Sequence, residues 1–225
     1  MVALGEKNMA KKLRANLIDP HNIDPADLPH YMADTYRGYM VSIKQRMRLI
    51  TNIVNLDFGF VEFNREVLAL QIRMIFELMS FAVLAFHQQE SPIARSKRTK
   101  NDALDVIGLA GQYSWFESVC SSFEYPSIPQ VVDIPFIKTQ LSDPAEFKSL
   151  HGKLGALLHE QQRPRPTDHG RLSIDDLLSI RNEAYKTLSK HIIRDQYNQG
   201  WFIDFHADGQ SENVIIGRVE SSESA

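Results

Sequence analysis

The stretch from about Asn64 to Gln89 constrains this chain more than any other segment. Val67, Leu68, Leu70, Ile72, Met74, Ile75, Leu78, Met79, Phe81, Ala82, Val83 and Phe86 make it apolar on almost every side. A helix of that kind belongs at the centre of a bundle. Its longest apolar run, Leu78 to Phe86 interrupted by Ser80, falls far short of the roughly 20 residues of a bilayer crossing, and Glu77 precedes it, so a core helix with no membrane association is expected. Arg73, Glu77, Ser80 and His87 follow at steps of 4, 3 and 7 and therefore project from one side into the expected interior. Buried charges persist only when paired and hydrogen-bonded, and Arg ahead of Glu at i, i+4 is the less favourable order on an exposed helix. The stripe reads either as a structural ion pair anchoring loops or helix ends, or as a functional polar wall along a cleft or dimer seam.

The helices that would wrap this core are legible on both sides of it. Residues 1–28 carry Lys7, Lys11, Lys12 and Arg14 and then three prolines, which predicts a flexible, extended arm rather than a secretory signal. A helix should begin near Pro29, because Tyr36, Met40, Ile43, Met47, Ile50 and Val54 recur at spacings of 4, 3, 4, 3 and 4. Its outer face holds Arg37, Lys44, Arg46 and Arg48, either a solvated face or an RNA or phosphate surface. A basic cluster at 94–100 precedes a short helix around Ala103 to Ala110. Prolines and aromatics at 112–141 exclude a long helix and predict an ordered loop packing its aromatics over the bundle.

Asp143-Pro144-Ala145-Glu146 announces the next helix with an N-cap, a Pro at the first helical position and a capping-box Glu. Leu150, Leu154, Leu157 and Leu158 form its buried face. Gly152, Gly155, Ala156 and His159 share another, and each glycine costs roughly 1 kcal/mol relative to Ala, so a close approach by a helix, a second subunit or a ligand is expected there. Ser173 and Asp176 cap a further helix expected to end around His191. Alternating Trp201, Ile203 and Phe205, a turn at 207–210, and Val214, Ile216 and Val219 predict a β-hairpin over 193–220, docked on the helices, before a frayed tail at 221–225.

At 225 residues the chain can hold one substantial domain, with 29–192 as its helical bundle. Its formal charge of −3 gives no global attraction to nucleic acid, so any such binding must be local. The single cysteine, Cys120, excludes an intrachain disulfide and a thiolate zinc cluster, consistent with a cytoplasmic setting. No Walker loop, dinucleotide fingerprint, His-Glu-x-x-His or nucleophile elbow is present, and no cofactor or metal is expected. Asp19, His21, Asp24 and His30 have no spacing that would gather them around an ion. His151 and His159, turned about 80° apart on a helix, are poor co-ligands. Trp201 and Phe205 read as core rather than a base-stacking platform.

The strongest constellation is His159 at the end of the Gly-lined helix, with Lys153 before it and Arg163 and Arg165 after it. A histidine beside cations can move the proton of a ribose 2′-hydroxyl while the cations stabilise phosphate charge. The competing reading makes His159 a favourable cation at a helix C-terminus.

Leu68 to Leu78, with Arg73 and Glu77, followed by Leu150-His151-Gly152-Lys153-Leu154-Gly155-Ala156-Leu157-Leu158-His159, resembles an all-helical bacterial family of HEPN-like character, mainly over residues 64–160. The resemblance implies a helical bundle that dimerises and, in many members, metal-independent ribonuclease activity in stress, toxin–antitoxin or phage-defence systems. Its implied motif is Arg followed by four to six residues and His. Lys153 to His159 and Lys186 to His191 keep that spacing but carry Lys, which cannot grip phosphate bidentately, and Arg163 to His169 falls in a proline-rich loop. The expectation is a mainly α, HEPN-like bundle with a C-terminal β-hairpin that binds RNA and is a candidate ribonuclease. His159 and Lys153 are its candidate catalytic groups, and Arg163, Arg165 and Arg73 its candidate phosphate contacts. The alternative is a non-enzymatic dimeric interaction module, with a homodimer or another protein as partner, organised by Arg73, Glu77, Ser80 and His87.

Overall fold

The computed structural model describes residues 28–56, 61–87, 103–124, 133–159, 172–195, 197–205 and 214–219. The expected mainly α architecture with a C-terminal antiparallel hairpin is what these residues form. Helix α1 (Leu28–Leu56) and helix α2 (Val61–Ala85) form a long helical pair. Tyr36, Met40, Ile43, Met47 and Ile50 of α1 are buried, as their spacing predicts. The row breaks at its last member. Val54 is 41% exposed and Ile53 takes the buried place, in the last turn of α1.

Helix α2 touches α1 and each of the later helices α3 (Ala103–Ala110), α4 (Pro144–His159) and α5 (Ile174–Ser189), which accounts for its nearly uninterrupted apolar composition. By length and composition it is the one helix among the described residues that could cross a membrane, and 56% of the qualifying window is buried inside the fold. Phe76 at its middle stacks on Phe147 of α4 at 4.4 Å, and Trp115 meets Phe147 edge-on at 4.9 Å. The Trp115 indole N–H is satisfied by the Leu141 carbonyl at 2.7 Å, so a polar handle enters the core without cost from an unmade bond.

Both predicted helix starts carry their caps. Asp143 Oδ1 accepts from the Ala145 amide at 2.8 Å ahead of α4. Ser173 and Asp176 form the reciprocal box ahead of α5, through bonds of 3.1 and 2.8 Å. The end of α5 differs from expectation. It stops at Ser189, and Lys190–Arg194 forms a strand, β2. With β1 (Glu117–Ser118), β3 (Gly200–Asp204) and β4 (Ile215–Val219) it builds a four-stranded antiparallel sheet in the order β1-β2-β3-β4, so the expected hairpin β3–β4 is one edge of a larger sheet. His191 lies opposite Ser118 on one side and Ile203 on the other.

The reason β2 escapes a sequence reading is that both faces of the sheet are covered. Ile193, Ile203 and Phe205 join the helical core, whereas Val119, Ile192 and Phe202 make a second small core with Phe123, Ile134 and Val219. A strand buried on both faces loses the alternation that marks a half-exposed one. The 112–141 segment therefore does more than cover the bundle. Trp115 and Phe116 enter the main core, while Phe123 packs edge-on against Phe202 at 5.6 Å on the far side of the sheet, and Phe136 stays exposed. A hydroxyl chain ties this segment to α5, with Thr139 and Thr187 side-chain oxygens 2.7 Å apart.

Candidate functional site at the α2–α4 seam

Helices α2 and α4 run antiparallel, with Glu77 opposite His151 and Arg73 opposite Gly155. Arg73 Nε donates to Glu77 Oε1 at 3.1 Å, and His151 Nε2 donates to the same oxygen at 3.4 Å. The Arg73 and Glu77 side chains keep 26% and 28% of their surface, while His151 is 2% exposed. The His151 hydrogen bond, followed by the charge of Arg73, holds the Glu77 carboxyl below the usual carboxylate range against the opposing effect of its burial. This is an ion pair in a half-open seam, paired on one side by a cation and on the other by a buried imidazole.

Among the described residues Arg73 bonds to Glu77 alone, through Nε, so its terminal amino groups are uncommitted. A Cβ placed on Gly155 would lie 3.6 Å from Arg73 Nη1, and one on Gly152 would meet nothing within 4 Å. The close approach expected at the two glycines is thus made by Arg73 at Gly155 in ordinary contact, and nothing among the described residues makes it at Gly152.

The predicted site residues divide accordingly. Arg73 and Glu77 come together as the stripe predicts. Ser80 is buried and donates to the Phe76 carbonyl at 3.1 Å within its own helix, a back-bond with no link to the seam. His87, just past the end of α2, is buried and stacks on Tyr113 at 4.4 Å. Lys153 is exposed on α4. Two residues past His151, it lies on the opposite side of the helix from Gly155 and Arg73, and about 120° from His159, so it does not join their face. The His159 side chain, Arg163, Arg165 and His169 lie outside the described residues, as does the basic cluster at 94–100. The backbone places His159 four residues after Gly155, one turn along the same row.

Packing also bears on two other groups of basic residues. Three members of the basic row of α1 make contacts within the fold, while Arg48 is exposed: Arg37 donates to the Val214 carbonyl at 3.4 Å, Lys44 is buried with its ammonium 5.2 Å from the Phe205 ring centre, and Arg46 donates to Gln71 at 2.7 Å. Lys186 and His191, which keep the motif spacing, cannot act together, because Lys186 is exposed near Glu183 and His191 is wholly buried in β2. Of Asp19, His21, Asp24 and His30, only His30 is among the described residues, and it is exposed at the start of α1.

His151 is the member that sequence reasoning passed over, by weighing it only as a partner for His159. Its signal was positional. Phe147, Leu150, His151 and Leu154 follow the i, i+3, i+4, i+7 pattern of a buried face, and a histidine on such a face needs a partner across the seam. No family model, curated protein or solved structure matches this chain.

Proposed function

We propose that the protein is a cytoplasmic RNA-binding protein of HEPN-like character, acting in a stress, toxin–antitoxin or defence setting, and that it cleaves RNA without a metal. The observation that carries this reading is the Arg73 guanidinium. It is oriented through Nε by Glu77, has its terminal amino groups uncommitted among the described residues, and stands beside a glycine one turn from His159. A planar guanidinium with two outward amino groups suits a phosphodiester, which it can grip with two parallel bonds. His159 is assigned the proton transfers: removal of the 2′-hydroxyl proton as that oxygen attacks the adjacent phosphorus, and protonation of the departing 5′-oxygen. The products are a 2′,3′-cyclic phosphate and a 5′-hydroxyl. Lys153, on the other side of α4, has no part in this arrangement; Arg163 and Arg165 remain candidate contacts to the flanking phosphates.

The test is incubation of the full chain, Arg73→Gln and His159→Ala with end-labelled structured and unstructured RNA in EDTA. Wild type should give cyclic-phosphate ends, and His159→Ala should slow cleavage by about 100-fold or more. Arg73→Gln should weaken RNA binding as well. RNA left intact and unbound by all three proteins overturns the reading. The second reading, a non-enzymatic dimeric interaction module, then takes its place, and its support is Phe63 and Leu70, seven residues apart on one side of α2 and each more than 40% exposed.

A further inference from the structure

His191 has no place in the site above, yet it is the most enclosed ionisable group of the sheet, with 0% of its surface exposed. It stands where three elements meet. Nδ1–H donates to the Leu188 carbonyl in the last turn of α5 at 2.9 Å, and Nε2 accepts from the Tyr36 hydroxyl of α1 at 2.5 Å, while its backbone pairs β2 with β1 and β3. Those two bonds define a neutral ring with the proton on Nδ1. Burial raises the Tyr36 hydroxyl well above its ordinary range, so it stays protonated and remains the donor.

We infer that the Tyr36–His191 pair is an acid-sensitive latch, and that protonation of His191 releases β2 and the last turn of α5 from α1 before the α1–α2 core opens. A second ring proton must go onto Nε2 and would point at the oxygen of a hydroxyl that is already donating to it. The hydroxyl would have to turn round, and its own hydrogen would then face the aromatic surround of Phe86, 4.9 Å from the Tyr36 ring, and Phe116, which meets the His191 ring edge-on at 5.2 Å.

Among the described residues no carboxylate compensates the new charge, since none lies within ion-pair distance of His191. On its own strand Lys190 sits 3.8 Å from Asp204 of β3, and Arg194 bonds Glu117 of β1 at 3.0 Å. On α5 Lys186 and Glu183 face each other at 3.7 Å, on α1 Arg37 pairs with Asp34 and Lys44 covers Phe205, and beyond Phe86 the His87 ring stacks on Tyr113. Burial accordingly lowers the His191 pKa to about 4, against 6.5 for a free imidazole. The group takes up its proton as the junction opens, so closure is full above pH 6.5 and is lost as pH falls toward 4.

Hydrogen exchange on the full chain at pH 7.5 and pH 5, corrected for the intrinsic pH dependence of exchange, reads the latch directly. Opening of the β2 and β3 amides should rise roughly 30-fold at pH 5, with α2 amides unchanged. In His191→Gln that rise should shrink below about 3-fold. A parallel rise in β2 and α2 overturns the latch, since it would show only global acid unfolding. If His191→Gln does not fold, the wild-type imidazole titration by NMR decides together with wild-type exchange: a ring titrating near pH 6.5 in the closed protein overturns the inference, and a ring that stays neutral until the β2 amides open while α2 stays protected upholds it.

Discussion

His151 and His191 are buried to nearly the same degree, and they make opposite electrostatic arrangements. His151 meets a carboxylate that also holds an arginine, in a seam whose outer members stay about one quarter exposed. His191 meets a phenol and a backbone carbonyl inside a shell of aromatic rings. The first site sets its histidine beside a carboxylate that also holds Arg73, whose terminal amino groups are uncommitted among the described residues. A hydroxyl already donating to Nε2, with no carboxylate beside the ring among the described residues, makes the second a structural junction that disfavours charge. The same side chain is therefore a positioning group in one place and a fastener in the other, and its partner decides which.

The contrast is broken most sharply by truncation. His191→Ala leaves the Tyr36 hydroxyl and the Leu188 carbonyl without partners in a closed, apolar space and should cost about 3 kcal/mol in urea unfolding. His151→Ala should cost less, about 1 to 2 kcal/mol, because Glu77 keeps Arg73 and can reach water. Equal losses would mean that the seam is as closed as the junction.

Titration sharpens it next. Glu77 is held below its ordinary pKa, so its contribution is present above about pH 4.5 and is lost as pH falls through the lower folded-state value. The His191 contribution disappears earlier, between pH 6.5 and 4. Glu77→Gln should lower stability at pH 7 by about 1 kcal/mol and flatten the stability profile only below pH 4.5, leaving the higher window intact. A Glu77→Gln profile unchanged below pH 4.5 would remove the carboxylate from the account.

The smallest effect belongs to Gly152→Ala. With nothing within 4 Å of the new Cβ, the substitution should raise stability by up to about 1 kcal/mol in thermal unfolding. Loss of stability would show that the α4 surface is covered. Gly155→Ala meets Arg73 only in ordinary contact, so it should fold normally while narrowing the approach to the guanidinium.

Much of the helical layer was legible because its signals are local. The i, i+3, i+4 row of α1, the Asp143 cap and the Ser173–Asp176 box each lie within a few turns of chain, and each appears at the place the spacing indicates except for Val54 at the end of the row. The pairing of Arg73 with Glu77 was legible for the same reason, since four residues on one helix face must be neighbours. His151 was not assigned to that pair, although its place on the buried face of α4 was written in the spacing, because its partner stands 74 residues away. Strand β2 was hidden because an apolar run at a helix end carries the same pattern whether it finishes the helix or enters a sheet covered on both faces.

By itself the sequence determined the main helices among the described residues and most of their buried faces, the central position of α2, the C-terminal hairpin and the exclusion of an intrachain disulfide, because each follows from residue type and short-range periodicity. The tertiary structure decided which polar groups meet. It brought His151 to Glu77, spent most of the basic row of α1 on packing, turned Lys153 away from Arg73 and sealed His191 against Tyr36. Those pairings depend on how two distant segments cross, and the charge of a buried group is set by the atoms that crossing places beside it.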